Sequence, residues 1–172
     1  NKMNNQRLEQ EQRLADGVPV YLAEAEQQII GAMMVWLLPG DIDEIRQRTG
    51  LRSAWFRDYS LGHIWDAIVV SASMQKEKQV PIMPTLVSHV LHQSGKYDEI
   101  GGIEFLNRLI ANVSQNFIQT SVEGIIFNIN VMKDWIERRK DYQEGQKLVE
   151  RAFSPTRNRP GALPMEVTYH EV

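Results

Sequence analysis

The sequence predicts an all-α protein, a globular multi-helix head followed by a long helix or helical hairpin. Three observations predict it. Apolar residues recur at steps of three and four along most of the chain, the period of a helix face. Glycines and prolines cut those runs into segments of helical length. No run alternates convincingly at period two: Val18-Pro19-Val20-Tyr21 carries a proline and stands alone, and the weak alternation from Met165 to Val172 follows Pro155, Pro160 and Pro164.

Residues 1–18 form a polar arm rich in Gln and Glu. From Ala23, the residues Ala25, Ile29, Ala32, Met33 and Trp36 fall at helical spacing. Glu24 and Glu26 then lie in the first turn, where the helix dipole favours carboxylates. Pro39-Gly40 is expected to stop this helix, and Asp41 or Asp43 to cap a short one carrying Ile42 and Ile45 and ending near Gly50. After Trp55 and Phe56, a helix over about 60–74 presents Leu61, Ile64, Trp65, Ile68 and Val69. Lys76 to Gln79 is a surface turn. Pro84 falls in the first turn of the next helix, where its missing N–H costs nothing, and Leu86, Val87, Val90 and Leu91 make that helix's buried face.

The stretch from Leu91 to Ile110 is doubly punctuated. Gly95 stops one helix, because glycine alone enters the left-handed C-cap conformation cheaply. Gly101-Gly102 precede another, with Ile103, Leu106 and Ile110 on one face and Leu109 beside them.

The last helical region differs in kind. Ile118, Val122, Ile125, Ile129, Met132 and Ile136 are spaced 4, 3, 4, 3, 4, the narrow seam of helices packed as in coiled coils. Ile126, Phe127, Val131 and Trp135 lie beside or opposite it. Between Lys133 and Arg151 stand six basic and five acidic residues, a well-solvated pattern, with Gly145 a candidate break or hinge. Two apolar faces point to a subunit interface built from Ile118, Val122, Ile125, Ile126, Ile129, Met132 and Ile136, over the alternative that both faces pack on one domain. The expected organisation is therefore an arm over 1–18, a head over 19–116, an oligomerising long helix or hairpin over 117–153, and a proline-containing linker-like tail over 154–172.

Composition narrows the function. The 172 residues are long enough for one domain with a real core, and an apolar share of 42% is that of a globular chain. With no cysteine, disulfides, thiolate metal sites and a cysteine nucleophile are excluded, which suits the cytoplasm. A net charge of −3 without a basic block argues against binding nucleic acid mainly through phosphates. The longest uncharged apolar run, Ile29 to Leu38, is half of the roughly 20 residues a membrane helix needs.

Motifs for chemistry are missing. There is no G-x-x-x-x-G-K-[ST], no G-x-S-x-G and no H-E-x-x-H. His89 and His92 stand three apart near Asp98 and Glu99, but a metal needs more convergent ligands, and two solvated histidines are expected. His63 reads as an edge-of-core histidine. The pairs Asp41/Asp43 and Glu24/Glu26 suit helix starts better than acid–base work. Trp36, Trp55, Trp65 and Trp135 read as core or protein-contact residues. No catalytic, cofactor-binding or metal residue is assigned.

Five pieces in order resemble the N-terminal domain of DnaB-family replicative DNA helicases. They are Glu24-Ala25-Glu26-Gln27-Gln28-Ile29-Ile30-Gly31; Phe56 with His63, Ile64 and Trp65; Pro81-Ile82 with Thr85; the glycine punctuation from Gly95 to Leu109; and Phe127, Val131 and Arg138 or Arg139. The resemblance covers about residues 19–153. Met83 and Trp55 stand where the family usually has carboxylates, and the spacings from Gly31 to Phe56 and before Phe127 are longer than usual, as in a phage, plasmid or divergent version. The resemblance implies a non-catalytic scaffold that pairs through helical hairpins into a dimer, or a hexamer built as a trimer of dimers. It implies docking of primase and possibly a helicase loader, with little direct DNA binding and no membrane partner. ATP and Mg are implied only for a C-terminal ATPase domain. The alternative is a free-standing helical adaptor or loader-like regulator.

Overall fold

The structure, a computed structural model, describes residues 20–113 and 121–154. Among these residues the chain forms six α-helices and one 3-10 turn, with no strand: α1 (Val20–Met33), α2 (Pro39–Thr49), η1 (Ser53–Trp55), α3 (Tyr59–Met74), α4 (Pro84–Gln93), α5 (Gly102–Val113) and α6 (Val122–Phe153). The all-α expectation holds.

Helix α1 lies at the centre, against α5, α6 and α3, while α3 also packs on α4, α2 and η1. Their buried side chains, among them Ile29, Ile30, Met33, Ile42, Ile64, Ile68, Leu106 and Ile129, make one core. Gly31 lets α1 and α5 approach closely, since a Cβ there would overlap the Leu109 carbonyl and the Val113 side chain.

Local chemistry sets the boundaries. Proline stands at the first position of α2 and of α4, where no N–H is needed. Asp58 caps α3 by accepting from the Ser60 N–H at 2.9 Å. At the end of α4, Gly95 takes φ 72. The Lys96 N–H then donates to the Leu91 carbonyl at 2.9 Å and the Gly95 N–H to that of His92 at 3.1 Å, a Schellman closure. Gly50 closes α2 in the same left-handed region.

Four local expectations are corrected. Helix α1 starts at Val20 and ends at Met33, so Pro39-Gly40 open α2 and do not stop α1. Asp41 caps α2 from its third position, accepting from the Leu38 N–H at 2.9 Å. The buried face of α5 is Phe105, Leu106, Leu109 and Val113, with Ile103 left 49% exposed; close packing on Gly31 turns the helix toward Leu109 and Val113. Gly145 does not break α6, because a glycine penalty of about 1 kcal/mol is small against the hydrogen bonding of a 32-residue helix.

Candidate interaction surface

Helix α6 has two sides, and the head covers one. Its start is held by Ser121, whose hydroxyl accepts from the Gly124 N–H at 3.0 Å. Arg48 of α2 donates to both carboxylate oxygens of Glu123, and that bonding holds the Glu123 carboxyl below the usual range. Behind this clasp Ile125, Ile126, Ile129 and Met132 are buried in the core, and Val122 and Ile136 pack against it. These six seam positions, expected at a subunit interface, meet the chain's own head. Ile118 lies outside the described residues. The 4-3 pattern shows that a seam exists, whereas what fills it depends on where α1 and α2 lie.

The opposite side of α6 is bare. Phe127 lies two residues, about 200°, around the helix from Ile129. Phe127 is 68% exposed, Val131 41% and Leu148 61%, with Val149 and Phe153 also exposed. From Glu137 to Phe153 every side chain is exposed except half-buried Arg139 and Tyr142. The large apolar residues lie at two ends of the exposed side, Phe127 and Val131 near the start of α6 and Leu148, Val149 and Phe153 near its end, with a charged stretch between. Phe127 and Val131, expected beside or opposite the seam, stand on this side, whereas the sequence gives no sign of Leu148 and Val149, which sit among charges that mask their period.

A second apolar surface lies on the head. Met34, Val35, Pro81, Ile82, Met83 and Ile110 line a groove of about 440 Å³. The Ile82 N–H donates to the Leu37 carbonyl at 2.9 Å and holds the segment before α4 along the end of α1. Trp36 is exposed at this end of α1, so of the four tryptophans only Trp65 is fully buried, with Trp55 and Trp135 packed partly against the core.

Among the described residues the histidines do not converge. His89 and His92 are exposed, and the His92 ring stacks on Tyr97 with centroids 3.7 Å apart. His63 is half-buried at the rim of the core, its Nε2 3.7 Å from a Glu99 carboxylate oxygen. Among the described residues no group of three or more His, Asp or Glu side chains is placed to hold a metal, and no helix is long and apolar enough to cross a membrane.

One carboxylate expected at a helix start lies in the core. Glu26 belongs to the interior and not to the first turn, with 2% exposure. Burial pushes its carboxyl up to about 7, against the opposing pull of the Arg57 backbone N–H that donates to it and of the Arg57 charge. It fastens the start of α3 to α1. Asp41 caps α2 as already described, while Glu24 is solvent-exposed.

No curated protein matches the chain. Among solved structures, the crystal structure of the N-terminal domain of DnaB helicase from Mycobacterium tuberculosis matches with a TM-score of 0.55 at 21% identity, covering 75% of this chain and 82% of that one. At that identity the likeness is one of fold. The family described as DnaB-like helicase N terminal domain matches residues 18–126. That match spans the head and the start of α6, more than half of the sequence, and the chain belongs to the DnaB-like helicase N terminal domain family.

Proposed function

We propose that this chain is a non-catalytic scaffolding domain of a replicative hexameric DNA helicase, pairing subunits into the collar and docking primase or a loader. The observation that carries the reading is the bare apolar side of α6, opposite a side already filled by the head. A helix half without tertiary cover is marginal in water, and its exposed Phe127, Val131, Leu148 and Val149 gain by burial against another subunit. The assembly is a dimer, or a hexamer formed as a trimer of dimers. ATP and Mg act in a separate C-terminal ATPase domain, DNA contact by this domain is slight, and the setting is the cytoplasm. Light scattering on the purified chain, alone and with a purified bacterial primase, tests both parts. The expected result is a dimer or hexamer that co-elutes with primase. A monomer at every concentration contradicts the assembly role, and separate elution contradicts the docking role.

A further inference from the structure

Two helix starts meet at the edge of the groove on the head. The hydrogen bond from the Ile82 N–H to the Leu37 carbonyl sets the residues before α4 beside those before α2. Both N-cap positions, Leu38 and Met83, are apolar and exposed, and neither side chain makes a capping bond. An N-cap is ordinarily Asp, Asn, Ser or Thr, because its oxygen accepts from the first free N–H groups, and an apolar residue there forgoes about 1 kcal/mol. Helix α2 has a carboxylate of its own in the first turn, Asp41. Helix α4 has no acidic residue in its first turn, and Met83, 50% exposed, stands where the positive end of its dipole is unmet.

Two further observations point the same way. Gln75 is 4% exposed, and its Oε1 accepts from the Met83 N–H at 3.3 Å. That bond places the amide at the start of α4 and fixes which of its ends is the donor. The buried Nε2 has no acceptor among the described residues, and a buried donor left unmatched costs about 1–3 kcal/mol. Lys76 and Lys78 are exposed on the turn that leads to Val80, and neither has an ion-pair partner among the described residues. Beside these donors the groove is apolar, with Val35, Val80, Met83 and Ile110 in its lining. Ile103, two turns before Ile110 on the same side of α5, extends it, exposed where the sequence led us to expect burial.

We propose that this surface binds an acidic, leucine-rich segment of another protein, one of whose carboxylates caps α4 while its neighbouring apolar side chains enter the groove. A carboxylate answers the unmet groups together: it accepts from the first-turn N–H groups of α4 and from Gln75 Nε2, and it offsets the lysine charges. The unbranched Met83 side chain turns aside to admit it. Pro81, Met83 and Pro84 are all exposed, so the groove is open along this edge. That suits a segment lying across it better than a small molecule enclosed within it. A phosphate backbone would meet the same cations but gain nothing from the apolar lining. The proposal goes beyond the role given above and stands whether or not α6 pairs.

Fluorescence anisotropy of a labelled synthetic peptide of Asp-Leu-Leu repeats, titrated with the full chain, tests this, with a peptide of Lys-Leu-Leu repeats as control. The expected result is saturable binding of the acidic peptide alone, weakened by salt. Met83→Asp supplies the missing cap from within the chain, so it should raise the thermal midpoint and weaken binding by about tenfold. The double variant Lys76→Glu, Lys78→Glu should weaken binding as well, with unchanged circular dichroism. No binding of the acidic peptide, equal binding of the two peptides, or a Met83→Asp variant that binds as tightly as the wild type overturns the proposal. So does binding that is lost in Phe127→Asp and kept in Met83→Asp, which seats the peptide on α6. A self-associating wild type that Met83→Asp turns monomeric makes a second copy the occupant and overturns it too.

Discussion

Glu26 is the residue at which burial and charge conflict most. Its carboxyl is raised by desolvation to about 7 in the folded chain, above the usual carboxylate value of roughly 4.3 in an unfolded one. Between those values the folded state holds a proton that the unfolded state has lost. Raising the pH through this window therefore weakens the fold, and stability is fullest at the acid end. The span corresponds to roughly 4 kcal/mol as an upper figure. Glu26→Gln keeps an oxygen for the Arg57 N–H and carries no charge to desolvate, so its urea midpoint is expected to stay level where that of the wild type falls between pH 5 and pH 8. Parallel midpoints for the two proteins across that range would contradict this. Gly31 gives a second test at this scale. Gly31→Ala drives a methyl into the Leu109 carbonyl and the Val113 side chain, at an expected cost of about 1–3 kcal/mol. Gly40→Ala meets nothing within 4 Å and should leave the thermal midpoint level or raise it slightly.

At the scale of elements, α6 is two helices in behaviour. Its proximal half is pinned by Ile125, Ile129 and Met132 in the core and by Arg48 on Glu123. Its distal half has only helix propensity and local pairs such as Asp134–Arg138. Amide hydrogen exchange should show residues 125–132 protected at every protein concentration. Residues 140–153 should exchange quickly when dilute and slow as the concentration rises. Equal protection of both halves in a dilute sample would contradict this division.

Much of this architecture is legible in sequence because cap and turn chemistry is local. Pro84 at a first turn, Gly50 and Gly95 past helix ends, and the stripe Leu61, Ile64, Trp65 and Ile68 are each decided within a few residues. What filled each face was not legible. Both sides of α6 carry apolar residues at helical spacing, and the choice of Ile129 for the core and Phe127 for the surface is made by α1 and α2, far away in the chain. The burial of Glu26 depends likewise on Arg57, 31 positions later. The same local reading failed at Pro39-Gly40, where two breakers begin a helix just as well as they end one.

For the molecule as a whole, the proposed role is that of a head with a filled core among the described residues, whose helix α6 would meet a partner on its exposed side. On the proposed reading, the buried seam of α6 should matter for folding and its exposed side for assembly. Ile129→Ala removes a fully buried side chain and should cost about 2–5 kcal/mol of stability. Phe127→Asp lies on the bare side, so the fold should tolerate it. Sedimentation equilibrium of the wild type beside Phe127→Asp tests the central claim most directly. The account predicts a wild-type dimer or higher oligomer and a monomeric Phe127→Asp with undiminished helical signal. A wild type that stays monomeric, or a Phe127→Asp variant that associates as tightly as the wild type, would contradict it.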